Sequence, residues 1–328
     1  MSSTKTKEPK KQLCSVYSRL NKEDPGGSAV SWSECLVLEL TNPWSQDVVE
    51  TEHFPPEIVM ALELAAKQGR FIRVQCIVPD PEYSSEDLTR VMYFFKANNP
   101  MSKYEKLELM VPPKRTGDIV TKLIESEARH PDLKRYLQNT SEIRELLICT
   151  HGSRDVCCAS FGYPIYECLR NKYAGHSLRV WRTSHTGGHR LASNVIDMPT
   201  GRYWCRLVKE DLERLVSHDG SVSDLTDKYR GWAHMKSPWE QIAEREVLHR
   251  EGWDWMRFRV DSEIKKIISG TRTAEVHIEF SDPFSTRTGF YDVRVEQVES
   301  APTIECRGNN EFGETEQYVV ASLEGRGF

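Results

Sequence analysis

Short apolar stretches separated by turn residues run through the first part of the chain and predict an α/β arrangement. Apolar positions alternate with polar ones, as in strands, or recur at helical spacing after Pro56, with Gly69 placed to end that helix. The predicted strands cover 34–40, 71–78, 90–95 and 106–111. A further helix is predicted over 116–125. The pattern therefore predicts an N-terminal α/β domain, which we place at 31–135.

A similar order of elements recurs after residue 140. Strands are predicted at 144–149, 178–182, 194–198 and 202–207, and helices at 163–173 and 209–217. Strand, helix, strand, strand, strand, helix is the order of a thioredoxin-like layout, in which a helix crosses between parallel strands and a hairpin completes the sheet. The two halves are therefore candidates for a duplicated fold, with chance recurrence as the alternative. We place the second α/β domain at 140–260.

The remaining segments predict a helix, a small β appendage and a tail. Ser237-Pro238-Trp239-Glu240 combines an N-cap serine, a proline at the first helical position and a glutamate that reaches back. The helix that it opens is expected to run to about Arg250 and to close the second domain. Alternating apolar residues from 275 to 323 predict an appendage of strands, placed at 270–328. A polar, Lys-rich beginning predicts a disordered tail over 1–30.

Composition narrows the class of protein. Of 328 residues, 38% are hydrophobic and 28% are charged, and the mean hydropathy is −0.56. These values are ordinary for a soluble globular protein, and no apolar run approaches the length of a membrane span. We therefore expect a cytoplasmic protein with no membrane partner. A net charge of −5 with interspersed signs argues against nucleic acid as a partner. Nine cysteines without the spacing of a disulfide scaffold predict that some are ligands.

Four soft or borderline ligands lie close together in the second half of the chain. They are arranged as Cys149-x8-Cys158 and His185-x3-His189. Cys149 lies at the end of a predicted strand, and Cys158 lies in the loop that leads to the next helix. His185 and His189 lie in the loop after the next strand. In an α/β sheet such loops can lie at the same edge. Gly187 and Gly188 let the backbone fold back between the histidines, so the pattern predicts a metal or iron-sulfur site.

At these residues the sequence resembles the sucrase/ferredoxin-like family, whose characterised members are thioredoxin-like ferredoxins. The motifs that carry the resemblance are Cys149-Thr-His-Gly-Ser-Arg-Asp-Val-Cys-Cys158, Phe161-Gly-Tyr-Pro164, Leu178-Arg-Val-Trp-Arg-Thr-Ser-His-Thr-Gly-Gly-His-Arg190, Gly201-Arg-Tyr-Trp204 and Tyr229-Arg-Gly-Trp232. The resemblance covers most of the chain up to about residue 255. It implies a thioredoxin-like ferredoxin domain in the second half, preceded by a second α/β domain that is also a candidate for this fold.

The resemblance also implies a cofactor and a function. Family members resemble 2Fe-2S proteins with two cysteine and two histidine ligands, which carries over onto Cys149, Cys158, His185 and His189. The protein would then transfer single electrons or sense redox state, with an unidentified redox protein as donor or acceptor. An electron carrier is favoured over a catalyst. Sucrase activity is not supported, because no pair of carboxylates is marked out for glycosidase chemistry.

Residues next to the ligands leave alternatives open. Cys157 adjoins Cys158, so Cys149-x7-Cys157 is a competing ligand spacing. His151 is expected either to donate a hydrogen bond beside the ligands or to lie in a solvated loop. Arg154 and Arg190 are expected either to stabilise the reduced centre or to form surface salt bridges.

The ligand type predicts the redox behaviour. Two thiolates and two neutral imidazoles leave an oxidised 2Fe-2S centre uncharged, whereas four thiolates leave it doubly negative, so histidine ligation makes reduction easier. Rieske centres, with the same ligand count, have potentials of roughly −150 to +300 mV, against about −400 mV for plant-type ferredoxins. The competing hypothesis is a structural zinc ion on the same four side chains. A thiol oxidoreductase using Cys157 or Cys158 is a third hypothesis, although the usual Cys-x-x-Cys arrangement is missing there.

Overall fold

The computed structural model describes residues 12–97, 99–126, 128–306 and 311–327, which form a mixed α/β structure with two sheets. The large sheet contains β1 (Glu34–Glu39), β2 (Ile72–Ile77), β3 (Thr89–Phe95), β4 (Glu105–Val111), β5 (Arg144–Cys149), β6 (Leu178–Thr183), β7 (Val195–Met198), β8 (Arg202–Trp204) and β9 (Tyr229–Trp232). The small sheet contains β10 (Arg259–Ile268), β11 (Thr273–Ser281), β12 (Thr288–Ile304) and β13 (Phe312–Gly327). The helices are α1 (Cys14–Leu20), α2 (Pro56–Lys67), α3 (Thr116–Glu125), α4 (Val156–Lys172), α5 (Leu212–Ser217) and α6 (Pro238–Glu251). None of these helices is both long and apolar enough to cross a membrane.

The large sheet consists of two halves with the same internal arrangement. Its strand order is β4-β3-β1-β2-β6-β5-β7-β8-β9. In the first half β1 is parallel to β2 and antiparallel to β3, which is antiparallel to β4. In the second half β5 is parallel to β6 and antiparallel to β7, which is antiparallel to β8. The halves join where Ile77 at the end of β2 pairs with Thr183 at the end of β6. The carboxyl ends of both parallel pairs therefore lie near each other.

Two hydrophobic cores cover opposite faces of the first half. Successive side chains of a strand point to opposite faces, so Leu36 and Leu38 of β1 pack under α2 and α3. Cys35 and Val37 face the other way and belong to the same core as Trp181 of β6. The second core therefore contains residues from both halves, which pack against each other.

A buried ion network crosses the contact between the halves. The Glu108 carboxylate in β4 lies 3.0 Å from the Arg179 guanidinium in β6 and also pairs with Arg90 in β3. Lys106 Nζ in β4 lies 2.6 Å from a Glu145 carboxylate oxygen in β5. The side chains of Glu108, Lys106 and Glu145 are at most 1% exposed, so each charge depends on its partners.

The small sheet is larger than the predicted appendage. The sequence places the appendage at 270–328, but β10 begins at Arg259, inside the region that we predict to belong to the second domain. The reason is that β10 is an edge strand of the small sheet with Val260 as its fully buried residue, so it lacks the apolar alternation that marks a strand. The small sheet packs on the end of the α6 segment through Trp255, Phe258 and Phe280.

The predicted disordered tail is wrong over part of its length. Residues 1–11 of the predicted 1–30 tail lie outside the described residues, but Cys14–Leu20 form α1. Cys14, Ser15 and Ser18 are buried against the rest of the protein. A helix of seven residues with two serines on its buried face has too weak an apolar pattern for sequence analysis to find.

Candidate metal centre

Three of the predicted ligands converge at the carboxyl edge of β5 and β6. Cys149 ends β5, Cys158 lies in the first turn of α4, and His185 follows the end of β6. The two sulfur atoms and a His185 ring nitrogen all lie within 4.8 Å of one another. His185 Nδ1 is 3.5 Å from Cys158 Sγ and 3.9 Å from Cys149 Sγ. This convergence follows from the topology, because loops after neighbouring parallel strands emerge at one edge.

The start of α4 positions Cys158. The sequence predicts this helix over 163–173, but it begins at Val156, with Pro164 inside it. Asp155 is the N-cap, and its Oδ1 accepts a hydrogen bond from the Cys157 backbone N–H at 2.8 Å. Cys158 therefore lies in the first helical turn, where the positive end of the helix dipole favours a thiolate.

Cys149 and Cys158 shift each other's pKa in opposite directions. A hydrogen bond from the Cys158 thiol lowers the pKa of Cys149 well below its usual range, and His185 acts in the same direction, while burial opposes both. The same contact raises the pKa of Cys158, and burial raises it further. Cys149 therefore loses its proton more readily than Cys158 does. Because metal ligands must be deprotonated, a bound cation would take the place of the thiol protons.

His151 fixes the loop that carries His185. Its Nδ1 accepts a hydrogen bond from the His185 backbone N–H at 3.1 Å, and its Nε2 lies 2.9 Å from the Ser45 carbonyl oxygen. This pairing requires the neutral ring protonated at Nε2, and burial lowers the pKa of the imidazole. The ring packs edge-on against Trp44 and the residue is 3% exposed. Of the two roles expected for His151, the structure has the hydrogen-bonded one.

Gly187 and Gly188 shape the loop between the histidines. Their φ angles are +88° and +70°, a region that favours glycine. The buried Arg230 guanidinium donates to the Gly187 carbonyl oxygen at 3.0 Å, and Asn194 Nδ2 donates to the Gly188 carbonyl oxygen at 2.8 Å. A Cβ at Gly188 would lie 2.9 Å from Arg230. Sequence analysis missed Arg230 and Asn194 as loop supports, although Arg230 lies inside the Tyr229-Arg-Gly-Trp232 motif.

His189 does not join the other three ligands. Its ring centroid is 6.0 Å from that of His185. Its Nδ1 lies 3.2 Å from Cys14 Sγ and 3.3 Å from Asp155 Oδ2, and its Nε2 lies 3.0 Å from Glu305 Oε2. Burial lowers the pKa of His189, although the two carboxylates oppose that effect. The imidazole is therefore next to the predicted centre but oriented towards Cys14.

Cys157 is separated from Cys158 by the geometry of the helix. Consecutive residues of an α-helix are about 100° apart around its axis, so adjacent side chains face different surroundings. Cys157 Sγ lies 3.5 Å from Cys14 Sγ and 3.4 Å from Cys306 Sγ. Of the two competing spacings, Cys149-x8-Cys158 is the one that converges with His185.

The arginines beside the ligands make contacts of their own. Arg190 pairs with Glu23 at 2.7 Å and donates to Thr315 Oγ1 at 3.2 Å. Arg154 donates to the Gln46 carbonyl oxygen at 3.4 Å. Of the two roles expected for Arg190, the structure therefore has the salt bridge.

The donor set suits a soft or borderline metal. Cys149 and Cys158 are fully buried, and the neighbouring imidazole of His185 offers a nitrogen donor at the same point. Thiolates and imidazoles are the ligands of zinc and of iron-sulfur clusters. The residues present therefore fit a sulfur- and nitrogen-ligated centre, with His189 beside it.

Comparison with known proteins places the chain in a family. The sequence model of the family described as sucrase/ferredoxin-like matches residues 25–231. A curated relative, altered inheritance of mitochondria protein 32 from Meyerozyma guilliermondii, is 22% identical over 245 residues, which cover 64% of this chain and 83% of the relative. No solved structure matches the chain. The family match spans more than half of the chain and includes all four predicted ligands, so the protein belongs to the sucrase/ferredoxin-like family.

Proposed function

We propose that the protein carries a 2Fe-2S cluster on Cys149, Cys158, His185 and His189 and uses it for one-electron transfer or redox sensing. The observation that carries the proposal is the convergence of two buried sulfur atoms and the His185 ring nitrogen within 4.8 Å. His189 would supply the fourth ligand; it lies next to the three converging residues, with its ring centroid 6.0 Å from that of His185, although its ring faces Cys14 in the structure. Family membership adds support, because the matched residues include all four positions.

The surrounding residues would tune such a centre. The bound cluster would supply a one-electron acceptor, which two neutral imidazoles make easier to reduce than four thiolates would. His151 is held neutral and fixes the backbone of His185, so the orientation of that ligand is set before binding. The His189 side chain is 17% exposed, so its outer ring nitrogen can exchange a proton with water. The reduction potential is therefore expected to lie above about −400 mV and to fall as the pH rises.

Metal and sulfide analysis tests the proposal. The full chain is purified without oxygen and assayed for iron and acid-labile sulfide, and about two of each per chain are expected. Cys158→Ser is expected to lose both. Cys168→Ser is the matched control, because Cys168 lies in the same helix and is half-buried, outside the converging set. Iron and sulfide that are absent from the wild type, or that survive Cys158→Ser, would overturn the proposal.

A structural zinc ion on the same side chains is the second candidate. Three ligand atoms within 4.8 Å also suit one tetrahedral ion. This candidate requires colourless protein and zinc that is lost in Cys158→Ser, with no acid-labile sulfide. A brown-red protein with sulfide excludes it.

The finer description of fold and compartment is also proposed. Each half of the large sheet is assigned a thioredoxin-like fold, supported by the shared order of one parallel and two antiparallel pairings. A cytoplasmic location is proposed from composition, with an unidentified redox protein as partner. The name of the yeast relative refers to mitochondria, so fractionation of cells that express the full chain decides between the two compartments.

A further inference from the structure

A second group of metal-binding side chains lies beside the first. The ligand atoms of Cys14, Asp155, Cys157 and Cys306 all lie within 4.8 Å of one another, and all four residues are buried. We call these residues the Cys14 cluster. None of them belongs to the ligand set of the proposed 2Fe-2S centre.

The cluster brings together distant parts of the chain. Cys14 is the first residue of α1, Asp155 and Cys157 begin α4, and Cys306 follows β12. The Cys14 backbone N–H also donates to Cys306 Sγ at 3.0 Å, which fixes α1 against the small sheet. A helix of seven residues has little stability of its own, so α1 depends on its contacts with the rest of the protein at this point.

The spacing of the sulfur atoms fits one tetrahedral ion. Zinc binds thiolate sulfur at about 2.3 Å, so two sulfur ligands on a tetrahedron are about 3.8 Å apart. The Cys14 to Cys157 and Cys157 to Cys306 sulfur distances are 3.5 and 3.4 Å. A disulfide bond would require about 2.0 Å, and all three cysteines are free.

The polar surroundings favour a cation. Asp155 uses Oδ1 to cap α4, while Oδ2 faces His189 Nδ1 at 3.3 Å. The ligand atoms of Cys14, Asp155, Cys157 and Cys306 are all buried together, so water does not screen a charge on any of them. Buried charged groups are usually paired or coordinate metals, so a cation at this point would satisfy the carboxylate and the sulfur atoms together.

We propose that Cys14, Asp155, Cys157 and Cys306 form a structural zinc site. With all four positions of the tetrahedron supplied by the chain, no position stays open for a substrate, as is usual for structural zinc. The ion would hold α1 and the end of β12 to the start of α4. Asp155 would also contact the proposed cluster ligand His189, so the zinc site and the redox centre would be adjacent but chemically separate.

Zinc analysis of the full chain tests the site. The wild type, purified without chelators, is expected to hold about one zinc ion per chain in addition to any iron. Cys14→Ser and Cys306→Ser are each expected to reduce zinc to near zero while iron and sulfide stay. Cys205→Ser is the matched control, because Cys205 is also fully buried but lies outside both ligand groups, and it is expected to keep its zinc.

The same variants keep this proposal distinct from the 2Fe-2S proposal. Cys149→Ser is expected to lose iron and sulfide but to retain zinc. If the 2Fe-2S proposal is wrong, the wild type will contain no iron or sulfide. Its zinc content will still depend on Cys306. Zinc that is absent from the wild type, that survives both Cys14→Ser and Cys306→Ser, or that is lost equally in Cys205→Ser would overturn the zinc site. Iron that follows Cys306, or a disulfide between two of the three cysteines in the native protein, would also overturn it.

Cobalt substitution covers the case in which the serine variants do not fold. Co²⁺ is titrated into wild-type protein from which zinc has been removed, and the spectrum is expected to show thiolate-to-cobalt charge transfer with the intense visible bands of tetrahedral coordination. The bound ion is expected to protect Cys14, Cys157 and Cys306 from alkylation, as located by peptide mass spectrometry. Weak octahedral bands, or full alkylation of these three thiols at saturating Co²⁺, would overturn the proposal.

Discussion

The two halves of the large sheet share a strand order but differ at the positions where the candidate ligands lie. Cys149 is the last residue of β5, and Glu39 is the last residue of β1. Cys158 is the third residue of α4, and Ile58 is the third residue of α2. The same topology thus presents two sulfur atoms in one half, and a carboxylate and an apolar side chain in the other.

The third ligand position shows the same difference. His185 follows the end of β6 by two residues, as Pro79 follows the end of β2. The edge of the first half instead borders a cleft of about 730 Å³ that is lined in part by Glu39, His53 and Asp80. The topology therefore decides where side chains meet, and the residue types at a few equivalent positions decide whether they can bind a soft metal.

The largest expected effect is a complete loss of the metal centre from one half. Cys149→Ser is expected to abolish bound iron and sulfide, because it removes one of the two sulfur atoms that converge with His185. Glu39→Gln, at the equivalent position, is expected to leave both unchanged. Iron and sulfide analysis of the two variants measures the difference. Equal losses in both variants would show that the metal centre does not depend on the second half alone.

The next effect concerns the contact between the halves. Glu108→Ala is expected to lower the free energy of unfolding by about 3–5 kcal/mol, because it removes the buried carboxylate that pairs with Arg90, Arg179 and Lys106. Urea denaturation with a single transition measures the loss.

Glu142→Ala is the control for this prediction. Glu142 forms an exposed pair with Lys103 at 3.5 Å, and its side chain is 85% exposed. Exposed pairs contribute about 0–1 kcal/mol, so little change is expected. If Glu108→Ala lowers the free energy of unfolding by less than about 3 kcal/mol, the halves are held together mainly by their shared apolar core.

A smaller effect is acid sensitivity in the second half. Burial lowers the pKa of His218 and of His234 from 6.5 to about 4. The unfolded state then binds more protons than the folded state between these values, so stability is full above about pH 6.5 and is lost as the pH falls towards 4. A folded-state pKa that is lower by one than the unfolded-state pKa corresponds to about 1.4 kcal/mol, which gives about 3 kcal/mol for His218 alone.

Urea denaturation at several pH values measures this loss. His218 has a φ of +55°, and asparagine tolerates that conformation, so His218→Asn is the suitable variant. It is expected to flatten the dependence of stability on pH below 6.5. An unchanged slope would mean that the His218 ring is already hydrated in the folded protein.

The smallest effect is on the loop that carries His185. His151→Phe keeps the packing on Trp44 but removes the acceptor for the His185 backbone N–H. Loss of such a supporting contact is expected to weaken metal binding by about 10-fold. Thr41, two residues after β1, is equivalent to His151, and Thr41→Ala is expected to have no effect on the metal. Competition with a chelator measures both, and equal affinities for His151→Phe and the wild type would contradict the role of His151.

The sequence was sufficient to predict the position of a candidate ligand where that ligand lies at the end of a strand or the start of a helix. Cys149, Cys158 and His185 follow from neighbouring parallel strands and the helix between them, so their convergence was predictable. His189 was not, because two glycines with positive φ and a short 3-10 turn set its direction. Cys14 and Cys306 are 292 residues apart, and no local pattern connects them.

Buried charges were the other features that the sequence could not predict. Lys106 and Glu108 lie on β4 among alternating apolar residues, where charged side chains usually face solvent. Their burial depends on the second half packing over this face, which is a contact between distant segments. The α1 helix was not predicted either, because its buried side consists of two serines and a cysteine and has no apolar pattern.

The position of the Cys14 cluster has a consequence for the order of events during synthesis. Cys306 is synthesised 292 residues after Cys14. At roughly 5–20 residues per second, that interval is roughly 15–60 s. The cluster can be completed only after both halves of the large sheet have been made, so a chain that stops before Cys306 lacks a sulfur ligand. Closure of the cluster would therefore distinguish chains that contain Cys306 from chains that stop before it.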